Sequence, residues 1–372
     1  MSTADQSTSR EQADQRERAA RLLKILDLEP IEHNLYRAGN EVRGQFRLFG
    51  GQVLAQALRA AYRTVEGVDA HSLHAYFIRA GDASRPVLYE VDRIRDGRSF
   101  VTRRVVAIQQ GEAIFSMSVS FQVQEQGFEH AHSMPNVPPP EELEDDIEVV
   151  RRLGDRHPGL SPMAGRARPF EMRSVFPLGS EAWQRNRFWN PVWIRFCADL
   201  PQSDHGLARC LLAYASDMGL VSTGALPHNE TVPRSDLQMA SLDHALWIHR
   251  EVPMGDWLLF HKRTSLAEGA RALCARVLRA GRKAGCVGFA GGAAAAASGS
   301  GHRIGIDGQG RDCREATAGC VPVVSRESRG VRRRGVSEPA AATAIRWIPR
   351  SIPGGSRSTS STWRDRSCSR PT

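Results

Sequence analysis

The sequence predicts an α+β fold of two similar modules, each a long helix wrapped by a curved antiparallel sheet. Three observations carry this. The run Phe49-Gly-Gly-Gln-Val-Leu-Ala-Gln-Ala-Leu58, continuing to Tyr62, is apolar nearly all round a helix, the pattern of a buried one. Four alternating runs follow it, at residues 71–78, 86–93, 99–109 and 113–123, with turn signals such as Asp96-Gly97 and Gln110-Gly111 between them, as in an antiparallel meander. The same succession then recurs in the second half of the chain. A helix apolar on all sides must be covered from more than one direction, and a sheet curving round it is the simplest cover.

Taken in order, residues 1–19 are polar and read as disordered, and residues 21–28 read as a short amphipathic helix leading in. Residues 20–125 form the first module. Gly50 and Gly51 open its buried helix and allow close backbone approach there. Residues 126–165 are rich in Pro, Glu and Asp, including Pro138-Pro-Pro-Glu-Glu-Leu-Glu-Asp-Asp146, and read as a linker with one acidic helix. The second module spans residues 166–273: a strand at 191–198, a helix at 206–215, strands at 237–249 and 256–264, and a turn at 265–270 into another strand. Residues 51–57 match 208–214 in role, and residues 71–79 match 240–250, so two related modules share one chain.

From about Cys274 the pattern stops. Residues 274–372 hold 18 Arg and Lys against 6 Asp and Glu, a net of +12, so the chain's overall +9 leaves the preceding residues at −3. The basic character therefore belongs to this aberrant Arg/Ala/Gly/Ser tail, which reads as disordered. A nucleic-acid footprint should lie on a structured face interleaved with polar and aromatic readers, so Arg332-Arg-Arg334 in the tail is weak support for one, and no nucleic-acid partner is expected. Only Cys197 and Cys210 precede the break, with no CxxC or Cys/His cluster, which argues against a disulfide framework or metal site. No apolar run reaches the roughly 18 residues needed to span a bilayer, and the N-terminus lacks a signal-peptide core; no membrane partner and a cytoplasmic location are expected.

Two segments place chemistry where apolar patterns end: residues 208–217, closing on Asp217, and residues 237–250, containing Ser241. A carboxylate at a helix end fits both an ordinary turn residue and a general base. Ser241 lacks a Gly-x-Ser-x-Gly elbow, which argues against a serine-hydrolase triad. Asp243 and His244 are neighbours on a strand and point to opposite faces, so they cannot act together as a dyad. His71 and His74 fit both substrate contacts and satisfied structural histidines. Gly50 and Gly51 fit both a tight turn and a helix head whose amides hold an oxyanion.

Phe49-Gly-Gly-Gln52, residues 71–82, Arg95-Asp-Gly-Arg-Ser-Phe100, Tyr214-Ala-Ser-Asp217, Leu242-Asp-His244 and Trp247-Ile-His-Arg250 together resemble the type II acyl-CoA thioesterases over residues 22–272. The resemblance implies two fused hotdog modules that hydrolyse acyl-CoA to free acid and CoA without metal or organic cofactor, and a homo-oligomer. It implies Asp217 as the group that activates water, Ser241, where Thr is commoner, as the hydroxyl that orients it, and a Gln on the last strand. Gly50, Gly51 and His71 are the candidate substrate contacts.

That last strand should carry a Val-Ala-Ser-x-x-Gln-Glu-Gly type of motif, whereas the chain reads Lys283-Ala-Gly-Cys-Val-Gly-Phe-Ala-Gly-Gly292. Back-translating residues 283–293 and dropping one nucleotide permits Arg-Leu-Ala-Ala-Ser-Val-Ser-Gln-Glu-Gly, which points to a reading-frame shift near Cys274. Loss of the strand and its amide predicts weak activity. The alternative reading is a non-catalytic acyl-CoA-binding or scaffold protein; a hotdog hydratase lacks its characteristic Asp/His segment here.

Overall fold

The computed structural model describes residues 3–41, 47–131, 133–153, 168–201, 204, 206–228, 239–280 and 285–287. Helix α1 (Thr3–Ile25) occupies most of the stretch that the sequence suggested was disordered, and it absorbs the start of the short helix expected at 21–28. The reason is a sparse stripe: Gln15, Ala19, Leu22 and, just past the helix, Leu26 recur at helical spacing and are all buried. Only two of the first three are apolar, so the stripe is faint in the sequence.

Strands β1 (Glu29–Glu32) and β2 (Leu35–Ala38) form a hairpin of two four-residue strands, too short to show a period. Helix α2 (Gly50–Tyr62) then enters the core with Leu54, Ala55, Ala57, Leu58 and Ala60 fully buried. Its most deeply buried amide is satisfied: Gln56 Nε2 donates to the carbonyls of Ile25 at 3.0 Å and Gly39 at 2.8 Å, and Tyr89 donates its hydroxyl to Gln56 Oε1 at 2.7 Å. The meander follows as β3 (Asp69–Phe77), β4 (Val87–Asp96), β5 (Phe100–Gln109) and β6 (Glu112–Gln122), within a few residues of the expected runs. Gln110 and Gly111 both take positive φ (54° and 78°), the type I′ turn whose twist suits a two-residue hairpin.

The expected linker packs against the second module. Helix α3 (Asp146–Leu153) buries Ile147 and Val149, and Asp146 accepts from the Ser174 amide and hydroxyl at 2.8 Å each. Trp193 Nε1 donates to the Pro138 carbonyl at 2.9 Å. Residues 154–165 lie outside the described residues.

The second module runs β7 (Phe170–Ser174), a short α4 (Glu181–Arg185), β8 (Trp189–Phe196), α5 (Leu207–Ser216), a short α6 (Leu220–Ala225), β9 (Asp243–Trp247), β10 (Leu258–Glu268), β11 (Arg271–Ala280) and β12 (Gly285–Val287). Its sheet order β7-β8-β10-β11-β12 repeats β1-β2-β4-β5-β6 of the first. The repeat read from the sequence is thus present in the topology. β9, the counterpart of β3, pairs antiparallel with β3 itself, Ala75 opposite His244, and so extends the first sheet to seven strands. β9 begins six residues later than the strand expected from residue 237, and Leu237 and Gln238 lie outside the described residues.

The end of the module differs from expectation in one respect. β11 runs unbroken from Arg271 through Ala280, Cys274 opposite Thr264 and Ala280 opposite Leu258, so a module boundary at 273 would cut a strand. The register of β10 continues to dictate pairing past the residue where composition changes. Of β12, the counterpart of β6, residues Gly285–Val287 are described. Residues 288–372, including Arg332-Arg-Arg334, lie outside the described residues.

Helices α2 and α5 pack antiparallel in the centre. A Cβ added at Gly51, in the first turn of α2, would overlap the Tyr214 carbonyl near the end of α5, and one at Gly206, before α5, would sit 2.7 Å from the Tyr62 ring at the end of α2. Arg59 grips Asp204 with both guanidinium nitrogens, Nη1 at 2.7 Å, fixing the register of the pair. Head-to-tail packing brings the start of α2 to the end of α5.

Candidate active site

Asp217 caps the C-terminus of α5 and is 5% exposed. Because α5 lies antiparallel to α2, its carboxylate faces the head of α2: a Cβ at Gly50 would lie 2.7 Å from Asp217 Oδ2 and 2.9 Å from the Phe77 ring. The α2 amides that bond back to the N-cap Phe49 carbonyl begin at Gln52 (3.1 Å) and Val53 (3.3 Å), and Phe49 supplies no side-chain cap. The Gly50 and Gly51 N–H groups therefore stand at the positive end of the helix dipole beside a buried carboxylate. Such a pairing favours the charged form of the acid and offers donors to a second anion.

Ser241, in the extended segment before β9, donates its hydroxyl to Asp217 Oδ1 at 3.0 Å. His244, 1% exposed, approaches the same oxygen with Nδ1 at 3.8 Å, and its Nε2 lies 2.9 Å from Ser216 Oγ. Asp217, Ser241 and Gly50 line a cavity of about 550 Å³. Its first-module wall is Leu48, Phe49, Val53, Phe77, Gly81 and Ile114, with Arg47 and Arg79 at the rim; the other wall is the start of α6 and residues 239–242. An apolar slot with one carboxylate–hydroxyl pair at its base and backbone donors opposite suits attack of water on a carbonyl that carries an apolar group.

Of the residues named from the sequence, the structure brings Asp217, Ser241 and Gly50 together. Gly51 takes a packing role, against Tyr214 and Phe49. His71 is not brought to the cavity. It sits six residues from Phe77 on β3, roughly 20 Å at about 3.3 Å per residue. There its Nε2 meets Ser120 Oγ at 2.8 Å and its ring stands edge-on to Phe100 at 5.7 Å. Burial, with the charge of His249 adding, holds its ring below the usual histidine range. His74 is exposed and stands edge-on to Trp247 at 5.2 Å.

Two buried residues were not read from the sequence. His244 and its neighbour Asp243 point to opposite faces, as the sequence implies, and the carboxylate near the ring comes from the end of α5. The signal was the period of two, since His244 shares its buried face with Leu246 and Ile248. Lys262 on β10 is 2% exposed, and its Nζ would lie 3.1 Å from a Cβ at Gly219, which has φ 68° and lines the cavity. Burial pushes its ammonium down to about 8, against the attraction of Asp146.

Cysteine chemistry is disfavoured by the same physics: burial raises the Cys197 thiol to about 11 and the Cys210 thiol to about 12, leaving both protonated. Among the described residues no three His, Cys, Asp or Glu side chains gather as a metal site, and no helix is long and apolar enough to cross a membrane.

Comparison with known proteins finds the same two-part organisation. Residues 41–122 match the family model of the acyl-CoA thioesterase N-terminal domain, and residues 181–280 match that of acyl-CoA thioesterase, through the end of β11. Acyl-coenzyme A thioesterase 8 of Mus musculus is 39% identical over 266 residues, which cover 69% of this chain and 82% of that protein. The crystal structure of acyl-CoA thioesterase II TesB2 from Mycobacterium marinum, 36% identical, superposes with a TM-score of 0.60 over 75% of this chain and 98% of that one. A conserved protein with a hot dog fold from Alicyclobacillus acidocaldarius, at 15% identity and a TM-score of 0.54, shares the fold alone over 74% of this chain and 96% of its own.

Proposed function

The chain belongs to the acyl-CoA thioesterase family, with a hotdog fold in each half, and we propose that Asp217 is the base that takes a proton from the water attacking an acyl-CoA thioester. Family membership makes it a thioester hydrolase; the residue roles are our reading. Water oxygen bonds to the thioester carbon as its proton passes to Asp217, and the carbonyl oxygen gains negative charge. The Gly50 N–H, at the head of α2, receives that charge. Collapse breaks the C–S bond, and the CoA sulfur leaves with the proton held by Asp217, giving free acid and CoA.

The observation that carries this reading is the Ser241 hydroxyl on Asp217 Oδ1 at 3.0 Å, with Oδ2 turned to the head of α2 across the cavity base. The hydroxyl donates its proton to the carboxylate, so its lone pairs can accept from the attacking water and aim it. No metal is needed for this step. The decisive experiment is Asp217→Asn with thiol release from acyl-CoA as the readout. We expect a loss of at least about a hundredfold with acyl-CoA binding retained, the scale of removing a general base; a variant keeping more than a tenth of the rate would refute the assignment.

The second reading, binding without efficient turnover, is favoured by the sequence after β11, where Lys283-Ala-Gly-Cys-Val-Gly-Phe-Ala-Gly-Gly292 stands in place of the Gln-Glu-Gly type of motif that the resemblance implies. The Gln that the resemblance puts on the last strand has no counterpart among the described residues, and a lost preorganised donor typically costs on the order of 10² to 10³ in rate. Replacing the residues from Lys283 onward with Arg-Leu-Ala-Ala-Ser-Val-Ser-Gln-Glu-Gly should restore that factor. If the replacement leaves the rate unchanged, the missing motif is not what limits turnover.

A further inference from the structure

We propose that His244 is a positioning residue of the active site, held as a doubly protonated imidazolium that keeps Asp217 in its carboxylate form. The proposal rests on the reading of Asp217 as the base. It follows from a count of protons. Ser216 has one hydroxyl proton, and it is committed: Ser216 Oγ donates to the Ala213 carbonyl at 2.7 Å, the ordinary back-bond of a serine in the last turn of a helix. The contact of 2.9 Å between Ser216 Oγ and His244 Nε2 must then use a proton from the ring, so Nε2 is the donor.

That settles what Nδ1 shows to Asp217. In a neutral ring protonated on Nε2, Nδ1 carries a lone pair, and here it would face a carboxylate oxygen at 3.8 Å with both side chains buried, 0% and 4% exposed. Two electron-rich atoms brought together away from water repel. A proton on Nδ1 converts the contact into an ion pair, strengthened by the low local polarity. Asp217 brings a charged oxygen within 4 Å of the ring; Asp243, next along β9, lies on the opposite face, and Ala75 of β3 stands across from His244.

The arrangement divides the work of the carboxylate. Oδ1 takes the Ser241 hydroxyl and the imidazolium, while Oδ2 faces the head of α2, where the thioester carbonyl is proposed to sit. A buried acid with no positive neighbour would rise toward neutrality and lose its proton-accepting form at working pH. His244 and the α2 dipole hold it down from two sides.

Two measurements on the full chain test this. Nitrogen-15 spectra of the histidine rings, with His244 assigned by its absence in His244→Asn, read protonation without needing turnover. We expect the imidazolium pattern for His244 at pH 7.5, and its collapse to a neutral ring at the same pH in Asp217→Asn. A neutral His244 ring in the wild type at pH 7.5 overturns the proposal. The second measurement is the pH profile of kcat/KM. His244→Asn should move the acid limb upward by about one to two pH units, so that the loss is about 10-fold or more at pH 6 and within about threefold at pH 8.5. A uniform loss across pH would mean a structural role only and would overturn it. Absence of thiol release alongside an intact imidazolium signal would count against the thioesterase roles and leave the ion pair standing.

Discussion

Gly50 and Gly51 are adjacent in sequence and open the same helix, yet the structure assigns them different work, and alanine at each position separates the two. At Gly50 the added methyl would meet Asp217 Oδ2 at 2.7 Å and Phe77 Cε1 at 2.9 Å. Ordinary contact between such atoms is about 3.5 Å, so the carboxylate has to withdraw by several tenths of an ångström. Both neighbours are side-chain tips that can turn, which limits the cost in stability to about 1 kcal/mol, the low end of overpacking. Catalytic groups tolerate about 0.5 Å of misplacement, and 1 Å can cost a hundredfold. Gly50→Ala should therefore lower thiol release about 10- to 100-fold at nearly unchanged stability. At Gly51 the methyl would overlap the Tyr214 carbonyl, a backbone atom of α5, as well as the Phe49 ring. The helices must separate, and about 2–3 kcal/mol should be lost. Urea unfolding monitored by tryptophan fluorescence gives the stabilities, and thiol release at pH 8 gives the rates. If Gly50→Ala keeps its rate within twofold, or if the two variants lose equal stability, the placement of the site at the head of α2 is wrong.

The remaining predictions concern residues outside the reacting centre. His71→Asn should leave thiol release within about twofold of wild type, since the ring lies against Ser120 and Phe100, while losing about 1 kcal/mol with the Ser120 hydrogen bond; a large rise in KM would return His71 to the substrate site. Lys262 offers a test by pH. Its folded-state value of about 8 lies below the ordinary 10.5, so between those pH values the unfolded chain binds the extra proton and stability should rise with pH. At about 1.4 kcal/mol per unit the gain is about 3 kcal/mol. Lys262→Met should abolish that rise, measured as the difference in urea midpoint between pH 7.5 and pH 10; equal pH dependence in both proteins would show that the ammonium is not buried in solution.

The long, strongly patterned elements were legible because their burial is regular. Helix α2 is buried on most of its circumference and β5 alternates cleanly along its length, so period located the helix and the meander around it. Elements that depend on one or two contacts were not. Helix α1 is held by Ala19 and Leu22 in an otherwise polar stretch, and β1 and β2 have four residues each. The site divides the same way. Asp217 and Ser241 stand where apolar patterns stop, but their 3.0 Å contact joins residues 24 apart in sequence, the cap of α5 and the residues just before β9. His244 could not be assigned to Asp217 by reasoning along one strand, because the pair is made by two elements meeting. His71 lies outside the cavity lining because six residues of extended β3 separate it from Phe77, a distance that motif spacing along the sequence does not show.

The antiparallel helix pair also explains why one end of the pair, and not the other, suits the proposed chemistry. A repeat of two modules creates two junctions of helix head with helix tail. At one, the head of α2 is Gly50 and the cap of α5 is Asp217, and the space between opens into the cavity. At the other, the head of α5 is Gly206, the cap of α2 is Arg63, and the Tyr62 ring lies where a Cβ on Gly206 would go. Arg59 and Asp204 close the remaining gap as a partly buried ion pair. A guanidinium cannot accept a proton from water, and a tyrosine ring fills the space that substrate would need. The second junction has become structural cement for the first, fixing the register that holds Gly50 against Asp217. Loosening it with Arg59→Ala should therefore act at a distance on the carboxylate, through the sliding of α5 along α2.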